Sequence, residues 1–126
     1  MCGIIGISDH PDASKIAYLG LYALQHRGEE AAGIATYDGS VHIIKDKGLV
    51  FDVFDEAALG SLKGNVAIAH TRYSTTGSSN VKNCQPFLVT HRGRPVAVAH
   101  NGNLTNTEEL YRKLEDEGSI FQTSMD

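Results

Sequence analysis

The residues most able to do chemistry begin with Cys2, placed between Met1 and Gly3. Were an aminopeptidase to remove Met1, one residue would carry both a thiol and a free α-amine. The amine has a reference pKa of about 7.7 to 8 and the thiol about 8.5, so near neutral pH the amine can act as base for its own side chain. A small side chain at position 2 suits that removal. The same position also suits a buried, unreactive cysteine, because free cysteine is among the most buried residue types. A cysteine that cleaves an amide needs further groups: a base, two donors for the developing oxyanion, and anchors for the rest of the substrate.

Candidates for those groups lie later in the chain. Arg72 directly follows an apolar run and offers a planar fork suited to a carboxylate, although a surface ion pair would use the same residue. Asn101-Gly102 offers a side-chain amide and an unobstructed backbone N–H, yet the pair is also an ordinary turn signal. Asp126 could hold an ammonium group or simply be solvated. Thr71 to Asn80 is crowded with donors and acceptors, either a solvent-exposed loop or a polar wall aimed at a ligand. His10, His70, His91 and His100 have no metal-ligand spacing, so satisfied or exposed histidines are expected and no metal is assigned. Cys84 has no adjacent base and reads as a small core residue. No glycine-rich phosphate loop occurs, and Arg92-Gly93-Arg94 is a basic turn too small to suggest nucleic acid.

The elements that must position these residues are short. Gly3 to Ser8 reads as an apolar strand. Asp12 is placed to cap a helix from about Ala13 to His26, with Ile16, Leu19, Ala23 and Leu24 as its apolar stripe. His26 and Arg27 fall in the last turn, and Gly28 suits a left-handed stop. Ala31 to Tyr37 and Val41 to Lys45 flank the hairpin turn Asp38-Gly39. Asp55 to Leu62 suggests a short helix, and Val66 to His70 a compact strand. Gln85 to Thr90 and Pro95 to His100 form two arms of a hairpin. Asn106 and Glu109 spell a capping box before a helix from Thr107 to about Glu117, stopped by Gly118. Ile120 to Thr123 reads as the start of another strand. The irregular order of helices and hairpins predicts an α+β fold of two stacked antiparallel sheets with helices outside, not a regular parallel sheet.

With 126 residues the chain is one domain or less, and 41% hydrophobic with 21% charged residues is an ordinary globular balance. A net charge of −4 argues against a nucleic-acid or polybasic membrane partner. No apolar run approaches the roughly 20 residues that span a bilayer, and no signal-peptide pattern opens the chain. Two cysteines make neither a disulfide scaffold nor a zinc site, so a cytoplasmic location is expected. Ending just after a new strand begins, the chain is expected to be a truncated domain.

Taken together, Met1-Cys2-Gly3-Ile4, Leu24-Gln25-His26-Arg27-Gly28, Thr71-Arg72-Tyr73-Ser74-Thr75, Gln85-Pro86-Phe87 and His100-Asn101-Gly102-Asn103-Leu104 resemble the glutaminase domain of class II glutamine amidotransferases. That domain belongs to the N-terminal nucleophile hydrolases. Tyr73-Ser74-Thr75 is most similar to the branch that uses phosphoribosylpyrophosphate, and differs from the sugar-phosphate branch, which usually has Trp after the arginine. The resemblance implies a four-layer αββα sandwich, of which residues 1–126 form the N-terminal portion. It implies Cys2 as nucleophile, with Asn101 and Gly102 as the oxyanion donors. Arg27 and Gly28 would lie in the substrate-side loop, Arg72 would bind the glutamine α-carboxylate, and Asp126 its ammonium. Glu29 stands where the family often has Gln, and Met125 where Ser is common before the aspartate.

No cofactor is implied for this portion. Magnesium and phosphoribosylpyrophosphate would belong to a phosphoribosyltransferase domain absent from residues 1–126, and a homo-oligomer is expected at full length. Residues 1–126 alone are expected to be inactive. Two alternatives stay open: another class II amidotransferase with a different acceptor, or a noncatalytic amino-acid-binding module.

Overall fold

The computed structural model describes residues 1–73 and 80–126. The expectations for Ser74 to Ser79, including the polar wall and the end of the Thr71–Thr75 motif, therefore lie outside the described residues. Strands β1 (Gly3–Ile7), β2 (Ala31–Tyr37), β3 (Val41–Lys47) and β4 (Val66–Arg72) form one sheet in the order β1-β4-β2-β3. Every pairing in it is antiparallel, with Ile5 opposite Ala69 and Ala69 opposite Ile34. The turn at Asp38-Gly39 joins β2 to β3 as its sequence predicts, with Gly39 at φ +109°.

Alternation along the strands gives each face its own task. One face carries Ile5 and Ile7, Ala32 and Ile34, and Ala67 and Ala69 against helix α1 (Ala13–Ala23). Ala13, Ala17 and Leu21 recur every four residues on α1 and are fully buried there. The many alanines at this contact let helix and sheet approach closely, and burying Leu21 contributes about 1.5–3 kcal/mol. Helices α2 (Val50–Val53) and α3 (Glu56–Ser61) close the same side, with Val50, Phe54 and Leu62 completing the core.

The opposite face carries His70 and Arg72 from β4 and is covered by the segment 84–86 and a second, two-stranded sheet. Its strands β5 (Phe87–His91) and β6 (Arg94–Val98) pair through a two-residue loop. Arg92 and Gly93 both have positive φ, 51° and 75°, which is the backbone that lets so short a loop follow the strand twist. Lys45 fastens the two layers: its Nζ donates to the Cys84 carbonyl at 2.7 Å and the Pro86 carbonyl at 3.0 Å, beside the Phe87 ring. Helix α4 (Thr107–Asp116) packs on the chain end, where the Tyr111 hydroxyl donates to the Met125 carbonyl at 2.8 Å.

Several local expectations need correction. Helix α1 stops at Ala23, and Gln25–Arg27 form a separate 3-10 turn. Gly28 is extended (φ −166°), so its glycine answers a close packing contact rather than a left-handed stop. Neither Asp12 nor Asn106 makes a side-chain cap; the Asp12 carboxylate lies 3.3 Å from Lys15 Nζ instead. Asp55 does cap α3, accepting from the Ala58 N–H at 2.7 Å. Residues 120–123 form no strand. Strand β4 runs two residues further than expected, so Arg72 sits inside the sheet.

Candidate active site

The antiparallel pairing of β1 with β4 puts Gly3 opposite Thr71, and the Gly3 N–H donates to the Thr71 hydroxyl oxygen at 3.2 Å. Cys2, one residue earlier, is thereby held at the end of β4. The Tyr73 N–H donates to the Cys2 sulfur at 3.5 Å, and the thiol lies 3.7 Å from the Tyr73 carbonyl oxygen. Arg27 holds the other side of the residue, donating from Nε to the Cys2 carbonyl at 2.9 Å. Met1 is 70% exposed, so removing it would not open the core.

Gln25 fixes the turn that presents Arg27. Its Nε2 donates to the Gly28 carbonyl at 2.6 Å, and its Oε1 accepts from the Val50 N–H at 2.7 Å. Gly28 then lies flat against the Arg72 backbone. A Cβ there would stand 2.5 Å from the Arg72 carbonyl carbon and 2.6 Å from its oxygen. The Arg72 carbonyl accepts from the Glu30 N–H at 3.2 Å, and the residue is only 2% exposed. Cys2, Arg27, Gly28 and Arg72 thus share one neighbourhood, built where two strands and a tight turn meet.

Asn101 and Gly102 reach the same strand by another route. His70, fully buried on β4, has its Nε2 3.2 Å from the His100 carbonyl oxygen. The His100 N–H donates to Gln85 Oε1 at 2.5 Å, and Gly102 folds back against the His100 ring. Asn101 and Gly102 themselves are exposed. Asp126 is anchored beyond them, its Oδ2 accepting from the Leu104 N–H at 2.6 Å. Its Oδ1 is buried without a partner among the described residues, and no hydrogen bond there joins it to Cys2.

The pattern of glutamine amidotransferases of class II matches residues 1–119. The chain belongs to the class-II glutamine amidotransferases. It is 53% identical to a chloroplastic amidophosphoribosyltransferase of Vigna aconitifolia, over 99% of this chain and 26% of that protein. With the amidophosphoribosyltransferase of Methanocaldococcus jannaschii it shares 52%, over 100% of this chain and 27% of that one. The solved glutamine phosphoribosylpyrophosphate amidotransferase of B. subtilis superposes with a TM-score of 0.90 at 44% identity, covering 100% of this chain and 27% of that one. The chain thus spans about a quarter of the length of these relatives. The fold is α+β, the N-terminal portion of an N-terminal nucleophile hydrolase sandwich, as the motifs predict.

In this class-II amidotransferase chain, sequence reasoning missed the groups that work through other groups. Tyr73 contributes its backbone, which no side-chain pattern reveals. Thr71, Gln25 and Gln85 sit beside or within the motif words, and their hydrogen bonds run to distant main chain. His70 is satisfied at Nε2, as expected of a strand histidine, and burial, with Arg72 and His100 nearby, lowers its pKa to about 4. Burial pushes the Cys84 thiol above the ordinary cysteine range, with Lys45 opposing, so Cys84 is a poor nucleophile. Among the described residues, no group of three or more His, Cys, Asp and Glu is placed to hold a metal ion, and no helix is long and apolar enough to cross a membrane.

Proposed function

We propose that this chain is the glutamine-binding and glutamine-hydrolysing part of an amidophosphoribosyltransferase, with Cys2 as nucleophile once Met1 is removed. The observation that carries the reading is the seat of the Cys2 thiol on the Tyr73 backbone, one residue from an arginine enclosed by the sheet. In the proposed reaction the Cys2 α-amine takes the thiol proton as sulfur attacks the glutamine carboxamide carbon. The Asn101 side chain and the Gly102 N–H receive the charge that develops on oxygen. The C–N bond then breaks, the amine returns its proton to the leaving nitrogen, and ammonia departs from a γ-glutamyl thioester. Water adds to that carbon, the S–C bond breaks, and glutamate leaves with the thiol restored.

Arg72 is proposed to pair with the α-carboxylate of glutamine, and Asp126 with its ammonium. The unpartnered Asp126 Oδ1 supports the second role, because a buried carboxylate oxygen without a donor suits an incoming N–H. Arg27 and Gly28 hold Cys2 and Arg72 from the substrate-side turn. The acceptor of the ammonia is proposed to be phosphoribosylpyrophosphate, giving 5-phosphoribosylamine for purine synthesis. That substrate and its magnesium would bind beyond residues 1–126, in a homo-oligomer of the full chain. A cytoplasmic location and the lack of nucleic-acid or membrane partners are proposed with it, supported by two free cysteines and the net negative charge.

The test uses the full-length enzyme. Active material is expected to lack Met1 by intact mass, and 6-diazo-5-oxo-norleucine is expected to alkylate Cys2 alone. Cys2→Ser should end glutamine-dependent synthesis and spare ammonia-dependent synthesis. Retained Met1 on active enzyme, or label on Cys84, would overturn the assignment.

A further inference from the structure

His100, the residue that leads into Asn101, is held from three sides. His70 Nε2 stands 3.2 Å from the His100 carbonyl oxygen, and Gln85 Oε1 accepts the His100 N–H at 2.5 Å. Gly102 comes so near the His100 ring that a Cβ there would lie 2.8 Å from its Cε1. A carbonyl oxygen can only accept, so Nε2 of His70 carries the hydrogen. Nδ1 must then be the lone-pair nitrogen, and it is buried without a partner among the described residues. The ring stays neutral at ordinary pH, since its pKa is lowered to about 4 chiefly by burial.

An unpartnered buried nitrogen is costly, and a leucine would fill comparable space without that cost. Packing alone therefore gives no reason for a histidine at the centre of β4. A directed N–H does. His70 lies two residues before Arg72 and on the same face of the strand, so one rigid element carries both side chains.

We propose that His70 is a positioning residue for amide cleavage. Its Nε2–H sets the plane of the His100–Asn101 peptide, while Gln85 holds the Ala99–His100 peptide before it, and together they aim the Asn101 side chain and the Gly102 N–H at the developing oxyanion. The inference rests on the oxyanion role proposed above for those two residues. An interaction that matters only as charge develops should appear in kcat rather than in KM.

In the full-length enzyme, His70→Leu is expected to lower glutamine-dependent kcat by about 10- to 100-fold, the scale of an ångström-sized misplacement. The KM for glutamine and the ammonia-dependent rate should stay within about twofold of wild type. His70→Gln, whose amide can present an N–H near the position of Nε2, should restore most of the lost rate. The γ-aldehyde analogue of glutamine adds to the Cys2 sulfur and places an oxyanion where the reaction would. It should bind more weakly to the leucine variant in step with kcat, while glutamate binds as before. A parallel fall in the ammonia-dependent rate, a KM rise at unchanged kcat, or a glutamine variant as impaired as the leucine one would overturn the role. Should His70→Leu not fold, Gln85→Leu tests the same clamp from its other side by the same measurements. The two proposals fail separately. A Cys2→Ser enzyme still using glutamine refutes the glutaminase reading, whereas one dead to glutamine beside a normal His70→Leu enzyme refutes only the positioning role.

Discussion

Gly28→Ala is a small change that should reach the proposed glutamine site without touching a side chain proposed to bind substrate. Its extended backbone suits alanine, so the cost is wholly steric. The new methyl would meet the Arg72 carbonyl carbon at 2.5 Å, its oxygen at 2.6 Å and its nitrogen at 2.9 Å, all backbone atoms in a paired strand. Carbon pairs settle at about 3.5 to 4.0 Å, so β4 and the Gln25–Arg27 turn must part by roughly 1 Å. Overpacking of this kind costs about 1–3 kcal/mol. Because Arg72 rides on the displaced backbone, the kcat/KM for glutamine should fall by up to about 10²-fold. The assay is glutamine-dependent against ammonia-dependent synthesis by the full-length enzyme, with hydrogen exchange of the β4 amides alongside. The ammonia route should be unaffected, and the amides around Arg72 should exchange faster. Gly6→Ala, whose Cβ would meet nothing within 4 Å, is the matched control and should behave as wild type. Wild-type kcat/KM and unchanged exchange in Gly28→Ala would refute the idea that this glycine sets the position of Arg72.

Arg72→Ala should mainly raise the KM for glutamine, because a carboxylate partner acts in ground and transition states alike; a pure kcat effect would contradict the role. Asn101→Ala should lower kcat by about 10²- to 10³-fold, as oxyanion donors do, and a normal kcat would remove Asn101 from the mechanism. Iodoacetamide on the native enzyme should modify Cys2 first and reach Cys84 only on unfolding, since Cys84 is fully buried and burial raises its thiol pKa; equal labelling by peptide mapping would contradict that. Stability should also carry a His70 signature in pH. The folded pKa of about 4 lies below the unfolded value of 6.5, so the unfolded chain takes up the proton first as pH falls. Its contribution is whole above pH 6.5 and is lost progressively toward pH 4, by about 3 kcal/mol in all. The denaturation midpoint of wild type should therefore fall relative to that of His70→Gln on acidification through that window; a constant difference between them would contradict the shift.

What the sequence makes legible follows from the range of the interactions. The Asp38-Gly39 and Arg92-Gly93 turns are local, and their residues state their own backbone geometry, so both hairpins are readable. Five motif words name the family because their order is independent of any contact. The caps at Asp12 and Asn106 fail because a capping residue is only a candidate, and another partner can win its side chain; Lys15 does so for Asp12. Helix α2 is too short for a period to show. Gly28 is the most instructive case. Its position after a helix suggests a left-handed stop, and only the folded chain shows the Arg72 backbone pressed against it. Thr71 and Arg72 look like the start of a polar loop because polarity is legible and burial is not. The two sheet neighbours of β4 and the covering segment 84–86 turn that polar run into buried strand.

The central place of β4 also bears on how such a chain can change length. Insertions and deletions drift freely through surface loops, but β4 is bonded on both sides, to β1 and to β2. One residue gained or lost between Val66 and His70 would turn over every side chain that follows. Arg72 would then point into the alanine-lined contact with α1, and Thr71 would take its place over the second sheet. Neither neighbouring strand could slip to compensate without inverting its own faces. Seven residues of β4 are thus a fixed ruler, and variation in length around this site is confined to the stretches on either side of it.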